Sequence, residues 1–463
     1  MYLKKFKIRN FRAIEDLELD FKKGLNIIVG ENNSGKTAVI DALRLSFNDF
    51  QERKGIYWSI SDFRIDKSEI SDKVNDIQFD LIFECEKEIE SAWFNDLHAI
   101  DEDGNSNLQL HFRYHLDGKS GKIKRSVWGG EKEGGNVSYE VSSALRNVYL
   151  SPTRNTNRDL KPVRGNILGK LYNNIGDDVE RDEILNEMIK LFTTNEKWND
   201  FVKKGHDAIS KHLEHLTYLA EEKSQDIEIG FTPYDFDKLV QNLIFQIPVY
   251  RELPEGFDPK YFDISQNGLG YNNLIYTAAV LGDIKQRNMT SEEEFTLLLI
   301  EEPEAHLHPQ LQNTFFNYLN RLHEEDSFQV IVTSHSPIIA AKTDLKLLTV
   351  LQNSHNQICA TQIDKLDLGK DNVDFLQKFL DVTKSQLFFA NGVILVEGIS
   401  EALLVPIFSK IMGERYDLER NGIEVVNING VAFEHFAKLF NSEVKKNRLN
   451  CRCAIITDDD DDK

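Results

Sequence analysis

Short apolar runs bounded by polar turns alternate along this chain with longer stretches whose apolar residues recur at helical spacing. Leu3–Ile8 and Leu17–Phe21 read as two strands of a small antiparallel edge sheet, joined through Asn10-Phe11-Arg12. Leu25–Val29 is a continuous apolar run, as expected of a strand buried on both faces, and Ala38–Leu45 opens an amphipathic helix. The same reading gives buried strands at Leu297–Ile300 and Gln329–Thr333, with a crossover helix over roughly Gln310–His323 between them. Further along, Gly392–Val396 and Cys453–Thr457 read as buried strands, and Glu401–Met412 as a helix. Asp177–Ser224 is charged and nearly free of Gly and Pro. Its apolar positions (Ile184, Met188, Leu191, Phe192) predict two or three helices inserted outside the main core.

Composition narrows this picture. The 463 residues are enough for two or three compact units, and a 41% hydrophobic content supplies their cores. The net charge of −21 argues against a surface coated in basic residues, although a local basic groove remains compatible with it. No run approaches the roughly 18 apolar residues of a membrane span, and the N-terminus lacks the apolar core of a signal peptide. The expectation is a cytoplasmic protein with no membrane partner. The four cysteines form no CxxC pair, and Cys451-x-Cys453 is read as reduced and metal-free.

Chemistry enters at Gly30–Thr37, GENNSGKT, which fits GxxxxGK[ST] and lies between a strand and a helix. Backbone N–H groups across Asn32, Asn33, Ser34 and Gly35 would cradle the phosphates of ATP, aided by the helix N-terminus. Lys36 would reach the β/γ phosphates and Thr37 would offer its hydroxyl to Mg²⁺. At the end of the Leu297–Ile300 strand stand Glu301, read as the magnesium-holding carboxylate, and Glu302, read as the group that polarises the attacking water. His335, in Ser334-His335-Ser336-Pro337, sits at the end of the next strand. His306 and His308 form an HxH pair without a third ligand nearby, so the turn is read as part of an interface. Ser265, Asn267 and Gly268 lie in SQNGLG ahead of a helix, where small residues let backbone N–H groups approach a phosphate.

These motifs resemble those of known ATPases. The N-terminal strands with Asn10-Phe11-Arg12 resemble SMC and RecF ATPase heads, which implies that Arg12 contacts nucleotide phosphate. His335 resembles the switch histidine of ABC ATPases, and SQNGLG a degenerate ABC signature, which implies a dimer. The pair Glu301-Glu302 departs from the usual Asp-Glu. Taken together, GENNSGKT, NGLGYNN, EEPEAHLHP, VTSHSP and the segment Val148–Leu171 resemble the OLD (overcoming lysogenisation defect) family, to which the anti-phage Gabija nuclease subunit is related.

That resemblance implies an α/β protein. Its organisation would be an ABC ATPase head at 1–165 and 229–387, a helical dimerisation insertion at 166–228, and a Toprim domain at 388–463 that the printed chain only begins. A strand ending in Glu397, with Glu401 one turn on, followed by a strand ending in Asp458 and Asp460, resembles a Toprim metal site. These four carboxylates would hold Mg²⁺ or Mn²⁺, with Glu397, Asp458 and Asp460 catalytic. The implied partners are double-stranded DNA, a second copy of the chain and a defence-system protein. The implied function is a DNA endonuclease gated by ATP, with little cleavage expected from the chain ending at Lys463. The alternative is an ATP-controlled clamp or sensor that holds a separate effector.

Overall fold

The structure is a computed structural model. It describes residues 1–48, 50, 55–64, 75–100, 104–118, 120–152, 160–163, 165–216, 229, 235–249, 258–290, 294–325, 328–354, 357–442, 444 and 447–458. Two compact units form: Met1–Arg154 with Glu292–Lys463, and Asn155–Ser291.

In chain order, the first unit opens with β1 (Tyr2–Phe11), β2 (Ile14–Asp20), β3 (Leu25–Gly30), β4 (Ile77–Glu84), β5 (His98–Ile100), β6 (Ser106–Leu116), β7 (Ile123–Gly129) and β8 (Leu145–Leu150). The second unit carries a two-stranded pair, β9 (Gln246–Pro248) and β10 (Tyr261–Asp263). The first unit resumes with β11 (Phe295–Glu301), β12 (Gln329–Ser334), β13 (Leu348–Ser354) and β14 (Gln357–Gln362). It ends with β15 (Gly392–Val396), β16 (Ile423–Asn427) and β17 (Arg452–Ile456).

The predicted edge pair is part of something larger. β1 and β2 belong to a six-stranded antiparallel sheet of order β2-β1-β4-β6-β5, with β7 on β6. Strand β4 alternates buried and half-buried positions, so Ile77, Phe79, Leu81 and Phe83 all face one way. Phe11 meets Phe79 edge-on at 5.3 Å and Phe83 meets Phe295 at 5.2 Å, so one core runs from this sheet into the next.

The second sheet has the order β14-β13-β3-β12-β11-β8, parallel throughout except for β14 on β13. Strands β3, β11 and β12 are buried at every position, as their unbroken apolar runs predict. The helix Lys36–Asn48 follows β3 and buries Val39, Leu43 and Phe47 in the shared core. Gln329 ties the two sheets together. It accepts from Leu3 N–H at 2.9 Å, while its amide donates to the carbonyls of Leu3 and Lys22, each at 2.9 Å.

The third sheet is three-stranded and parallel, in the order β16-β15-β17. β15 is central and largely buried. β17 pairs with β15, and its Ile455 (47%) and Ile456 (37%) are exposed where the sequence predicts a buried strand.

The second unit is built from the helices Ile167–Tyr172, Asp178–Thr193, Glu196–Leu216, Phe236–Val240 and Leu269–Thr290. Ile167–Tyr172 packs against both Leu269–Thr290 and Phe236–Val240. Asn166 caps it, its oxygen accepting from Gly169 N–H at 2.7 Å. Asn174 donates to Asp283 at 2.7 Å. The helix that follows the signature-like turn therefore joins the inserted helices in a unit spanning 155–291, wider than the 166–228 read from composition. Residues 217–228 of that predicted insertion lie outside the described residues.

Candidate functional site

Parallel strands leave their C-terminal ends at one edge of the sheet, where side chains from several strands can meet. β3, β11 and β12 bring Gly30–Thr37, Glu301–Glu302 and Ser334–His335 together in this way. The loop after β3 requires its glycines. At Gly30 (φ +157°) an added Cβ would lie 2.2 Å from the Leu351 carbonyl oxygen; at Gly35 (φ +95°) it would lie 2.6 Å from Ile358 Cδ1. Asn33 adopts φ +62°, the left-handed turn that asparagine tolerates. Asn32 and Asn33 are exposed, and Ser34 is buried.

Lys36 is folded into this loop. Its ammonium donates to the carbonyls of Gly30 (2.9 Å) and Glu31 (2.6 Å) and to Ser34 Oγ (3.3 Å). Burial lowers it to about 8, against the opposing pull of Glu302, Glu304, Glu301 and Glu31. A phosphate group is the natural replacement for those loop oxygens. Thr37 Oγ1 donates to Glu301 Oε1 at 2.5 Å, while Tyr149 Oη donates to Glu301 Oε2 at 2.6 Å. Threonine hydroxyl and carboxylate are thus adjacent, an all-oxygen pair suited to Mg²⁺.

Glu302 has φ +44°, and its N–H donates to Thr333 O at 2.9 Å. This turns its side chain to His335, whose Nε2 lies 3.0 Å from Oε1. Burial and then Lys36 hold His335 below the usual imidazole range, while Glu302 pulls it upward. Glu304, which carried no role in the sequence reading, braces the strand end. Its Oε1 accepts from Ser334 Oγ (2.8 Å) and from His335 N–H (2.6 Å), and burial pushes its pKa above the usual carboxylate range.

Arg12 is engaged by acids. Nη1 contacts Asp41 at 2.7 Å and Nε contacts Asp62 at 2.8 Å. Asp41 also binds Arg44 (2.9 Å), whose guanidinium lies 3.7 Å over the Tyr149 ring. The contacts of Arg12 with Asp41 and Asp62, and of Tyr149 with Arg44 and Glu301, join residues remote in the chain, so no local sequence signal marked them.

In the second unit, Ser265 lies in a 3₁₀ turn (Ile264–Gln266) and donates to Asp263 at 2.5 Å. Asn267 ends that turn, and its buried Nδ2 has no hydrogen-bond partner among the described residues. Gly268 has open space where a Cβ would stand, directly before the helix Leu269–Thr290.

At the third sheet, Val396 pairs with Ile456, which places Glu397 beside Thr457. Thr457 Oγ1 donates to Glu397 Oε2 at 2.7 Å, and Asp458 follows directly. Glu401 is used locally: its Oε2 accepts from Gly398 N–H at 2.8 Å and caps the helix Ile399–Ile411. Asp460 lies outside the described residues, within which no three acidic, histidine or cysteine side chains close into a metal-holding group. Glu397 and Asp458 still fit as oxygen ligands at adjacent strand ends. Burial raises Cys451 to about 12 and Cys453 to about 11, so both thiols stay protonated.

Residues 1–212 and 141–340 match the family described as AAA ATPase domain. Residues 388–460 match the Overcoming lysogenization defect protein-like TOPRIM domain. The chain is 26% identical to the OLD nuclease of Thermus scotoductus, over 93% of this chain and 78% of that protein. It is 25% identical to Endonuclease GajA of Bacillus cereus, over 100% and 78% respectively. It is 23% identical to the Old nuclease of Escherichia phage P2, over 97% and 77%. Among solved structures, the Smc head domain from Pyrococcus furiosus bound to the C-terminal domain of ScpA aligns at a TM-score of 0.43. That alignment has 17% identity and covers 79% of this chain and 97% of that one.

The fold and site define an α/β ATPase domain joined in one chain to a Toprim domain. The chain belongs to the AAA ATPase domain family, and its residues 388–460 match the OLD-like Toprim domain.

Proposed function

We propose that this protein is an ATP-dependent, divalent-ion-dependent DNA endonuclease in which a dimeric ATPase head gates a Toprim nuclease site. The observation that carries the reading is the meeting of Thr37, Glu301, Glu302 and His335 at one sheet edge beside Lys36. Lys36 would leave the loop carbonyls for the β/γ phosphates. Thr37 and Glu301 would hold Mg²⁺. Glu302 would accept a proton from the attacking water, and neutral His335 would orient Glu302 and sense the γ-phosphate. Asp41 and Asp62 hold Arg12 in place, and a phosphate contact would draw on the part of its guanidinium they leave free. Ser265, Asn267 and Gly268 would complete the nucleotide site of a second copy, with backbone N–H groups ahead of the helix Leu269–Thr290 as the phosphate donors.

At the Toprim sheet, Glu397 and Asp458 would hold Mg²⁺ or Mn²⁺, with Glu401 and Asp460 as further ligands. A bound ion there supplies an activated water and charge neutralisation at a DNA phosphodiester. Thr457 keeps the Glu397 carboxylate oriented toward the strand ends. The names of the OLD and GajA relatives support the nuclease reading, and the OLD and Gabija resemblance supports a role in defence against phage.

Supercoiled plasmid incubated with the intact protein and Mg²⁺ or Mn²⁺, with and without ATP, tests this. Nicking that responds to nucleotide and disappears in Glu397→Ala is expected. Absence of nicking, or nicking unchanged in the variant, would remove the nuclease assignment.

A further inference from the structure

A glutamate that serves as a metal ligand has three rotatable side-chain bonds, so something must hold its carboxylate. Glu301 is 4% exposed, and both of its oxygens are taken by hydroxyl donors: Thr37 on Oε1 and Tyr149 on Oε2. Tyr149 stands on β8 opposite Leu299 of β11. Leu299 and Glu301 are two residues apart, so both emerge on the same sheet face as the tyrosine. The tyrosine ring is itself held. Arg44 lies over it at 3.7 Å and is fixed by Asp41 at 2.9 Å. Asp41 in turn binds Arg12 at 2.7 Å, and Arg12 binds Asp62 at 2.8 Å. The chain of contacts runs unbroken from the β1–β2 turn to the Glu301 carboxylate.

We infer that Tyr149 is the positioning residue for Glu301: its hydroxyl, on a ring clamped by Arg44, aims the carboxylate at the Thr37 hydroxyl where a nucleotide-bound Mg²⁺ would sit. The inference rests on the reading of Glu301 as the magnesium-holding carboxylate. It assigns Tyr149 no contact with substrate. Removing a group that orients a metal ligand typically weakens metal affinity by about 10–100-fold. Tyr149→Phe is a suitable probe because the ring and its stack on Arg44 remain and only the donor is lost.

The test is the Mg²⁺ dependence of binding of a non-hydrolysable ATP analogue, measured by calorimetry beside binding in EDTA. Tyr149→Phe is expected to raise the half-saturating Mg²⁺ concentration about tenfold while leaving EDTA binding unchanged. In a Glu301→Asp background the carboxylate is withdrawn by one methylene from the tyrosine hydroxyl. There the same substitution should change the Mg²⁺ requirement by less than about twofold. A Mg²⁺ requirement unmoved by Tyr149→Phe, or an equal shift in both backgrounds, overturns the inference. Glu301→Gln separates the two readings. If it too leaves the Mg²⁺ requirement unmoved, Glu301 is not the magnesium carboxylate and both readings fall. If it moves the requirement and Tyr149→Phe does not, only the role of Tyr149 falls.

Discussion

Glu302 Oε1 and His335 Nε2 lie 3.0 Å apart and join the ends of neighbouring parallel strands β11 and β12. The contact depends on the positive φ of Glu302, which turns the chain toward β12 directly after the buried Glu301. One carboxylate thus stays with Thr37 while the next faces the histidine. If Glu302 is the base, Glu302→Gln should retain ATP binding and lower steady-state hydrolysis by about 10²–10⁴-fold. An equal loss of binding would instead make Glu302 a binding group.

With Lys36 on the ATP phosphates, as proposed, ATP affinity should depend on pH. Its ammonium sits at about 8 in the nucleotide-free loop, and phosphate, being negative, favours the charged form and raises that value. Below about 8 the lysine is already protonated, so its contribution is flat. Above about 8, binding takes up a proton and weakens by up to about tenfold per pH unit. Calorimetry at pH 7 and pH 9 in buffers of different ionisation enthalpy should show added proton uptake only at the higher pH, and Lys36→Met should abolish it.

Gly30 has no room for a side chain. An alanine Cβ would meet the Leu351 carbonyl oxygen at 2.2 Å, a backbone atom that cannot rotate away. Gly30→Ala should cost about 1–3 kcal/mol by urea denaturation and weaken ATP binding, because the loop must shift to fit it. Gly35→Ala meets a side chain rather than backbone, Ile358 with Cδ1 at 2.6 Å and Cγ2 at 3.2 Å, and should be milder by denaturation.

Gln329 is 2% exposed and is hydrogen-bonded to Leu3 N–H and to the carbonyls of Leu3 and Lys22. Gln329→Ala strands these groups between two sheets and should destabilise the ATPase unit by roughly 2–4 kcal/mol in the same measurement.

Much of this site was legible in the sequence because its parts are local. GENNSGKT needs only neighbouring residues to make its loop, and Leu297–Ile300 needs only its own apolar run to declare a buried strand. The links between parts were not legible. Tyr149 and Glu301 are far apart in sequence, and strand register alone brings their side chains together. Arg12 and Asp62 likewise meet only because the chain folds back near the β1–β2 turn. β17 misled for a different reason. An apolar strand reads as buried wherever it sits, yet Ile455 and Ile456 are exposed where β17 pairs with β15. Glu401 carries the spacing of a metal ligand, yet the same spacing lets it cap its own helix.

The central claim is that one chain joins an ATPase site built on Glu302 to a nuclease site built on Glu397. Hydrolysis of ATP and nicking of supercoiled plasmid, measured side by side on the intact protein, Glu302→Gln and Glu397→Ala, test it most directly. Glu397→Ala should hydrolyse ATP within about twofold of the parent and should not nick. Glu302→Gln should lose hydrolysis and nick with an altered response to ATP. Nicking that persists in Glu397→Ala, or hydrolysis that persists in Glu302→Gln, contradicts it.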